Sequence, residues 1–320
     1  MAVNVGQDVA QAWQAYVGTK PEDNIHDEYS QLKRMEGGKA FKSFTGGRSI
    51  IGSIEYALNS TVRSITPTET LDTSAVEVFD EYEYQWKQYA GTVVMTSFEE
   101  AVNRGGSAKF DLLKGKLENL RQSMRSELNS DLFGATAGND LNGLQTIVPD
   151  APSSGTVGAI NAGTYTFWRS QQTAGTQSST AYDNLRSAMR TIRLACAKGQ
   201  GVKFPDYFVT GPTTSSGYEG LLIANERVVS KDTEDANAAF AGDVYYFGKA
   251  KVYWDDDCAN TRMYALNNTN LKLGYQSGFW FKGYPSVDPA NQLLEVFKVE
   301  TQAQAFSDNR RHLGVITAIS

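Results

Sequence analysis

The chain has 320 residues, of which 41% are hydrophobic and 21% are charged, and this balance is typical of a folded protein rather than a disordered one. Its formal net charge of −6 excludes a protein that holds nucleic acid tightly on a broadly basic surface. The length exceeds one typical core, so we expect two compact units, or one unit with long excursions.

Residues 1–45 are polar, contain glycine and show only weak hydrophobic periodicity. Such a segment has little core of its own and becomes ordered only where it lies on another surface. The sequence therefore predicts an N-terminal arm. Basic residues are concentrated in and just after it, namely Lys33, Arg34, Lys39, Lys42 and Arg48.

Two strand-like runs follow the arm, RSIIGSIEYALN and SAVEVFDEYEYQWKQY, with the turn-like STVRSITPTETLDT between them. In the second run, apolar and aromatic residues alternate with acids, which predicts a strand with two different faces. The two runs together predict one long β-hairpin. An isolated hairpin is marginally stable in water, so we expect its aromatic side to rest on another surface. That side carries Val76, Val78, Tyr82, Tyr84 and Trp86, opposite Glu77, Glu81 and Glu83.

Residues 107–135 give the strongest helical pattern in the chain. Their apolar residues recur at steps of three and four, with Ser107 as a start cap and Gly134 as an end signal. At 1.5 Å per residue this helix would run about 40 Å, far longer than an average helix. Its apolar stripe consists of Phe110, Leu113, Leu117, Leu120, Met124, Leu128 and Leu132.

A second compact unit is predicted after a stretch rich in Gly, Ser, Thr and Asn at residues 134–180. Short strands are expected within that stretch at 144–148 and 164–168. A capping box formed by Thr180 and Asp183 begins a helix that stops at Gly199. Beyond it, KFPDYFVT predicts a buried strand, and VYYFGKAKVYWD with TRMYALN predicts strands joined by an acidic turn.

The segment from residue 292 onward returns to long alternating runs, LLEVFKVETQAQAF and HLGVITAI, separated by the turn signal SDN. We expect these runs to be two adjacent antiparallel strands. Their pairing with elements before residue 149 would close a domain that the middle of the chain interrupts.

Patterns that suggest chemistry are weak throughout the chain. Tyr245 and Lys249 have the YxxxK spacing of short-chain dehydrogenases, but the glycine-rich turn that such enzymes need is missing. The hydroxyl-rich TGPTTSSGYEG has no GxSxG elbow and no nearby histidine to act as a base. Residues 255–257 (Asp255, Asp256, Asp257) could bind a hard cation, although three consecutive acids are more typical of a solvated turn. We expect no catalytic site, metal site or cofactor.

The cysteine and histidine content also argues against a metal site. Cys196 and Cys258 lie far apart without CxxC spacing, so we expect reduced structural thiols rather than a disulfide or zinc site. His26 and His312 are too few for a histidine-based metal site, and His312 is expected at a polar strand edge. The N-terminal sequence lacks the basic and apolar segments of a signal peptide, and no run approaches about 18 apolar residues. We therefore expect a soluble, cytoplasmically made protein without membrane contact.

The order of arm, long hairpin, long helix, inserted compact domain and closing strands resembles that of tailed-bacteriophage major capsid proteins, whose fold is shared with encapsulins. The resemblance covers nearly the whole chain and lies in GGRSIIGSIEYAL, KFDLLKGKLENLRQSM, the GL of LNGLQTIV and AFSDNRRHLGVITAI. It implies an α+β fold of the Hong Kong 97 type. In that fold, residues 1–45 would be the N-arm, 46–92 the extended loop, 93–148 with 285–320 the peripheral domain with its spine helix, and 149–284 the axial domain.

The same resemblance implies a structural function rather than an enzymatic one. The chain would assemble as hexamers and pentamers into an icosahedral head shell that encloses double-stranded DNA through loose, non-specific contacts. Portal, scaffolding and possible decoration proteins would be partners, and the protein would be found in the virion after assembly in the host cytoplasm. An encapsulin-like shell around a protein cargo is the alternative with the same fold. A soluble enzyme or ligand-binding protein, with a pocket lined by Trp254, Trp280 and Tyr284, is the alternative without a shell.

Some members of this family crosslink a lysine of the extended loop to an asparagine of a neighbouring subunit. Residues 49–86 contain no lysine, and Arg63 is their only basic residue. The resemblance therefore implies a shell held together noncovalently. No long coiled-coil segment precedes the arm, which suggests a separate scaffolding protein.

Charge along the hairpin gives the last expectation. Between Glu69 and Glu83 there are six acids and no basic residue, in contrast to the basic arm. A solvated acidic face is the plain interpretation. The more specific hypothesis is that the acidic hairpin of one subunit meets a basic surface of its neighbour and steers assembly. The expected intersubunit contacts are Tyr82, Tyr84, Trp86, Glu77, Glu81, Glu83, Lys33, Arg34, Lys39, Lys42 and Arg48.

Overall fold

The computed structural model of this chain describes residues 30–103, 112–175, 181–197, 204–225 and 245–319, which contain both helices and strands. The helices in these ranges are α1 (Ser30–Gly37), α2 (Ser97–Asn103), α3 (Leu112–Phe133), α4 (Leu144–Ile147), α5 (Ala181–Cys196) and α6 (Pro212–Asn225). The strands are β1 (Phe41–Phe44), β2 (Ser49–Glu55), β3 (Phe79–Gln85), β4 (Lys87–Thr96), β5 (Thr156–Val157), β6 (Ile160–Asn161), β7 (Gln171–Ala174), β8 (Tyr207–Thr210), β9 (Tyr245–Phe247), β10 (Ala250–Trp254), β11 (Met263–Leu266), β12 (Leu271–Gln276), β13 (Lys282–Val287), β14 (Leu294–Ser307) and β15 (Gly314–Thr317).

A five-stranded sheet is organised around β14, the longest strand at 14 residues. β14 pairs antiparallel with β4 from Leu294 opposite Thr96 to Ala303 opposite Lys87. It also pairs with β12 and β13, and β1 from the arm joins β12 in parallel. The pairing of β14 with β4 confirms that the first closing run returns to an element that precedes residue 149. For the second run the prediction is wrong, because β15 pairs with β7 and β11, which both follow residue 149.

The helix α3 packs on β4 of this sheet, and Gly91 makes the close approach possible. A Cβ at Gly91 would lie 2.5 Å from Leu120 Cδ1, closer than side-chain atoms approach each other. At 22 residues α3 spans about 33 Å. It ends at Phe133 before Gly134, as predicted, whereas Ser107 and the predicted first turn lie outside the described residues.

A six-stranded sheet in the order β7-β15-β11-β8-β10-β9 forms the second layer. The predicted buried strand is β8, all of whose residues are buried. The helix α5 covers one face of the sheet with Leu185, Met189 and Ile192, which pack against Phe208 and other strand residues. The opposite face joins a larger core, shared with α1, α3, α4 and the five-stranded sheet.

The closing strands differ from the prediction, which placed them side by side. β14 belongs to the five-stranded sheet, whereas β15 lies between β7 and β11 in the six-stranded sheet. A short 3-10 turn at Arg310–His312 redirects the chain, and Asn309 stabilises it by accepting a hydrogen bond from Arg311 N. The division into domains at residue 285 stays a prediction. β12 belongs to the same sheet as β14, whereas β15 belongs to the same sheet as β8 and β11.

Two predicted short strands are wrong. Residues 144–147 form one helical turn, α4, in which Thr146 N and Ile147 N donate to Gly143 O. Leu144 and Ile147 are three positions apart, so a helical turn buries both, which a strand cannot do on one face. Residues 166–168 form a 3-10 turn that ends at the fully buried Trp168.

Both cysteines are free and buried, as expected, and burial raises the pKa of the Cys196 thiol to about 12. His312 does not lie at a polar strand edge: it is 5% exposed in the 3-10 turn, where Nδ1 donates to Cys196 O at 2.9 Å. Among the residues described, there is no group of three or more His, Cys, Asp or Glu side chains arranged to hold a metal ion. None of the described helices is both long enough and apolar enough to cross a bilayer.

Candidate functional site

The hairpin formed by β2 and β3 is the most prominent excursion from the two sheets. Its strands pair antiparallel from Ser49 opposite Gln85 to Glu55 opposite Phe79, and Tyr56 N extends the ladder by donating to Val78 O at 3.0 Å. Beyond this point, residues 57–77 form no regular strand. We call residues 49–56 with 78–86 the hairpin base and residues 57–77 the hairpin tip.

The hairpin base packs on the chain's own core. Alternate residues of a strand point to the same side, so the inward face of β2 and β3 presents one continuous apolar surface. These side chains form a buried cluster with residues from the β5–β6 turn, the 3-10 turn before β7 and the end of β14. The cluster consists of Ile50, Ile54, Tyr82, Tyr84, Val157, Ile160, Trp168 and Phe306.

Directed hydrogen bonds fix the hairpin base in place. Tyr82 OH donates to Asp308 Oδ1 at 2.8 Å, and Glu83 N donates to Gly158 O at 3.1 Å. Burial raises the pKa of Tyr84, which is 1% exposed, well above its ordinary value. Gly52 leaves room for the Tyr82 ring, because a Cβ there would lie 2.2 Å from Tyr82 OH. The base is therefore a rigid part of the protomer.

Two of the three aromatic residues predicted at a subunit interface are buried within the protomer itself. Tyr82 and Tyr84 lie in the chain's own core, and Trp86 is half-buried, with its ring 5.6 Å edge-on to Phe44 and Nε1 donating to Gly47 O. Alternation along β3 revealed which face needs cover, but it contains no information on whether that cover comes from the same chain. An interface role for these three residues stays a prediction, and Trp86 is the one that keeps substantial exposed area.

The hairpin tip has no core and exposes large apolar side chains. Local turns organise it: Asn59 accepts hydrogen bonds from Thr61, and Asp72 accepts hydrogen bonds from Ser74. Arg63 pairs with Glu69 at 3.2 Å. The exposed fractions of Leu58, Val62 and Leu71 are 90%, 81% and 65%. Several large apolar side chains exposed to this extent within one short segment indicate a surface that contacts another molecule.

Acidic side chains occupy the outward face of the hairpin. Glu77 lies before β3, and Glu81 and Glu83 alternate with the buried tyrosines, so all three carboxylates are exposed. Glu83 accepts a hydrogen bond from Gln85 Nε2 at 2.8 Å. The predicted acidic face is therefore available to solvent or to a partner.

The predicted basic residues separate into two groups. Lys33, Lys39, Lys42 and Arg48 are exposed on α1, β1 and the turns beside them. Arg34 is half-buried, and its guanidinium lies over the rings of Tyr253 and Tyr207. Burial lowers the pKa of Arg34 to about 10, although the two tyrosines and Asp255 oppose this shift. Arg34 therefore holds α1 on its own chain, whereas the other four basic residues can meet a partner.

A buried polar network attaches α1 to the rest of the chain. Gln31 N donates to Asp255 Oδ2 at 3.0 Å, and Gln31 Nε2 donates to Tyr207 OH at 2.9 Å. Asn129 of α3 accepts from Leu32 N and donates through Nδ2 to Asp255 Oδ1 at 2.9 Å. Asn129 Nδ2 also lies 2.6 Å from Asp257 Oδ2. We call Gln31, Asn129, Asp255 and Asp257 the arm anchor.

The arm anchor corrects the interpretation of residues 255–257 as a solvated turn, because Asp255 is only 1% exposed. Its carboxylate oxygens accept hydrogen bonds from Gln31 N of α1 and from Asn129 Nδ2 of α3. These hydrogen bonds compensate for the loss of water around the buried carboxylate. Asp256, in contrast, is exposed. A sequence signal for the anchor was present in Asn129, a polar residue next to Leu128 in the apolar stripe of α3.

The residues considered for enzymatic functions are dispersed. Tyr245 pairs with Val252 in the β9–β10 ladder, and Lys249 is exposed in the turn that joins these strands. The hydroxyl-rich segment forms the first turns of α6, where Thr214 Oγ1 donates to Asn260 O. Of the aromatic residues considered for a ligand pocket, Trp254 belongs to the six-stranded sheet and Tyr284 to the five-stranded sheet, while Trp280 packs on Phe41.

No family model matches the sequence, and no curated protein matches it. Among solved structures, the capsid asymmetric unit of cyanophage A-1(L) is similar over 94% of this chain and 95% of that chain, with 17% identity and a TM-score of 0.66. The holo-SrpI encapsulin complex of Synechococcus elongatus is similar over 97% and 95%, with 11% identity and a TM-score of 0.59. The mature capsid of bacteriophage PhiM1 is similar over 93% and 91%, with 12% identity and a TM-score of 0.58.

These similarities extend over nearly the full length of both partners. They confirm the predicted α+β fold of the Hong Kong 97 type, which phage capsids and encapsulin shells share. At 11–17% identity they establish the architecture of the chain, and its role follows from a separate argument.

Proposed function

We propose that this chain is the major capsid subunit of a tailed bacteriophage and assembles as hexamers and pentamers into an icosahedral head shell around double-stranded DNA. The observation that carries the proposal is the hairpin, whose base is fixed in the protomer's core and whose tip protrudes with exposed apolar side chains. Its similarity in fold to phage capsid subunits supports the same role.

The hairpin explains how assembly is driven. Covering a fully exposed aliphatic side chain contributes roughly 1.5–3 kcal/mol, and several such side chains protrude from one tip. A rigid base places the tip in the same position on every subunit, so the contact repeats by symmetry and generates a closed shell. Association then supplies the cover that the tip lacks on its own chain.

Charge and composition fit this role. The net charge of −6 would let the inner wall enclose DNA by loose, non-specific contact without holding individual phosphates. Because residues 49–86 contain no lysine, the hairpin cannot supply an amine for a crosslink, and we propose a noncovalent shell. Portal, scaffolding and decoration proteins are the expected partners, with assembly in the host cytoplasm and a final location in the virion.

The domain division belongs to the same proposal. Residues 1–45 would be the arm, and residues 46–92, which include the hairpin and residues 87–92 of β4, would be the extended loop. Residues 93–148 with 285–320 would be the peripheral domain around α3, and 149–284 the axial domain. Two strands do not follow this division. β12 lies within residues 149–284 but pairs in the five-stranded sheet, and β15 lies within residues 285–320 but pairs in the six-stranded sheet.

Electron microscopy of the purified full-length chain tests the proposal. We expect closed particles of uniform diameter when the chain is expressed with the other proteins of its source. DNA that survives nuclease treatment of the particles would favour the phage head. The encapsulin alternative rests on the match to the SrpI encapsulin complex, and a folded protein cargo without DNA would favour it. A stable monomer under all these conditions would refute both.

Charge steering gives a second test. The double variant Glu81→Lys/Glu83→Lys reverses the exposed acidic face of β3 while the buried tyrosines remain. If the acidic hairpin meets the basic residues Lys39, Lys42 and Arg48 of a neighbour, we expect assembly at low salt to slow about tenfold or more. Light scattering during assembly measures the rate.

The control is Glu118→Lys/Glu127→Lys, an equal change in net charge on the exposed side of α3. Screening should remove the difference between wild type and variant near molar salt. An assembly rate of wild type that is the same at low and molar salt would rule out steering.

A further inference from the structure

β4 is a long strand at the edge of the five-stranded sheet. All 10 of its residues pair with β14 on one side, and no other described strand pairs with its opposite side. An edge strand presents a row of backbone N–H and C=O groups without partners, so it can accept a strand from another chain. The open side of β4 is therefore a candidate interaction surface.

The hydrogen-bond pattern shows which residues face the open side. Along an antiparallel pair, the N–H and C=O of one residue point to the partner strand and those of the next residue point away. Ser97, which continues the register of β4, donates its N–H to Leu293 O at 3.1 Å. Thr96 N donates instead to the side chain of Glu99. Odd-numbered residues of β4 therefore bond to β14, and even-numbered residues point away from it.

The even-numbered residues within the strand are accessible to a partner. All of them before Thr96 are exposed, namely Gln88, Ala90, Thr92 and Val94. Within the described chain, their outward backbone groups make no hydrogen bond. The Gln88 side chain lies against the sheet, because its Nε2 donates to Glu300 Oε1 at 2.7 Å, and it leaves the open side free. We call the outward backbone groups of these four residues the β4 edge.

Another edge of the same sheet is protected against strand addition, whereas the β4 edge is not. β13 contains Pro285, which has no N–H, and its pairing with β14 shifts between Tyr284 and Val287. Proline and irregular pairing are common means of blocking an exposed edge. β4 contains no proline, keeps one register with β14 along its whole length and has no charged residue at its outward positions. The β4 edge is therefore suited to pairing.

We propose that the β4 edge pairs with the β4 edge of a second copy of this chain, antiparallel and about a two-fold axis at Gly91. This register places Gln88 opposite the partner's Val94 and Ala90 opposite the partner's Thr92. Every outward N–H and C=O of these residues then obtains a hydrogen-bond partner. The five-stranded sheet continues from one copy into the other.

The sequence of β4 favours a second copy as the occupant. A two-fold interface requires a self-complementary surface, and two-fold dimers are the commonest symmetric oligomers. Lys87 is the only charged residue of β4, and the proposed register places it opposite the partner's Met95. At about 3.4 Å per residue, Lys87 is then about 27 Å from the partner's Lys87 along the strands. The hairpin tip is a less suitable occupant, because residues 57–77 form no regular strand.

This inference goes beyond the proposed function. A two-fold dimer can form in a protein that builds no shell, and the hairpin tip can hold a shell together without pairing at the β4 edge. The experiments below therefore succeed or fail independently of electron microscopy of the shell.

Thr92→Pro in the full-length chain tests the pairing. The N–H of Thr92 points away from β14, so proline removes no hydrogen bond from the protomer, and proline is tolerated on the solvent side of an edge strand. The dimer loses one hydrogen bond from each copy, so we expect its dissociation constant to rise about tenfold or more. Sedimentation velocity at increasing concentration measures the constant. The control Thr92→Val keeps the N–H and should associate like wild type.

A pair of charges tests the register. Thr92→Lys alone brings two positive charges to within about 7–8 Å across the two-fold axis, and Ala90→Glu alone does the same with two negative charges, so each should weaken association. The double variant Ala90→Glu/Thr92→Lys places opposite charges directly across from each other at both pairs. It should recover most of the wild-type affinity.

Hydrogen exchange of the wild-type chain gives an independent readout. The amides of Ala90, Thr92 and Val94 should exchange more slowly as the concentration rises. The amides of Gly91 and Val93, which bond to β14 within the protomer, should not change. If the chain assembles beyond a dimer, the same amides are measured in the assembled particle.

Three results would overturn the proposal. The first is a wild-type chain that stays monomeric at millimolar concentration and keeps fast exchange at the β4 edge. The second is an equal dissociation constant for Thr92→Pro and Thr92→Val. The third is a double charge variant that associates no better than its single variants, which would assign the β4 edge to a different strand. Should thermal unfolding show that Thr92→Pro does not fold, the charge variants, which keep every N–H, decide in its place.

Discussion

Replacing the hairpin tip, residues 57–77, by Asn-Gly is expected to abolish closed shells while leaving a folded protomer. Tyr56 and Val78 face each other across the ladder, and Tyr56 N donates to Val78 O, so a two-residue turn can connect them directly. Asn-Gly favours the turn type whose twist matches that of a hairpin. The change removes Leu58, Val62 and Leu71, which one protomer leaves exposed.

Two measurements distinguish lost assembly from lost folding. Electron microscopy reports on shells, and thermal unfolding reports on the protomer, whose hairpin base keeps its contacts with Trp168 and Phe306. The triple variant Leu58→Ser/Val62→Ser/Leu71→Ser keeps the length of the tip and removes its apolar surface, so it should reduce the yield of shells as well. Shells formed by the shortened chain at wild-type yield would show that the tip does not hold subunits together.

Asp255→Ala is expected to lower the free energy of unfolding by about 3–5 kcal/mol, the range for breaking a buried charged hydrogen-bond network. The substitution leaves Gln31 N and one hydrogen of Asn129 Nδ2 without an acceptor in a buried place. Of the hydrogen bonds described above between α1 and the rest of the chain, those from Gln31 Nε2 to Tyr207 OH and from Leu32 N to Asn129 Oδ1 remain. Residues 30–37 should therefore exchange their amide hydrogens faster than α3 does.

The matched control for this variant is Asp256→Ala, one position further along and exposed. It should change the free energy of unfolding by less than about 0.5 kcal/mol. Urea unfolding gives the two free energies, and hydrogen exchange shows whether α1 is released. If both variants proved equally stable, Asp255 would not be the group that holds α1.

Local patterns were enough to predict the hairpin, the end of α3 and the buried strand β8, because each element repeats its apolar residues with the period of one regular structure. The fold class followed from the resemblance of the order of these elements to that of a known family. The arm anchor could not be predicted in this way, since Gln31, Asn129 and Asp255 are distant in sequence and meet only after the two layers pack.

Local patterns also do not predict which sheet a strand joins. The alternation in HLGVITAI indicates a strand but does not say which sheet receives it, and the 3-10 turn at Arg310–His312 decides this through contacts such as Arg310 Nε with Ile147 O at 2.7 Å. The same limit applies to Tyr82 and Tyr84. A periodic pattern shows which face is buried, whereas the molecule that buries it is determined by tertiary structure.

The central position of β14 has a consequence for synthesis on the ribosome. β4 leaves the ribosome long before β14, its partner along ten paired positions, and β11 and β8 leave before β15 completes their sheet. Until then the nascent chain exposes unpaired strand edges, which are prone to non-native pairing. Non-local pairing of this kind slows folding, so the late strands determine when a newly made chain reaches its final form.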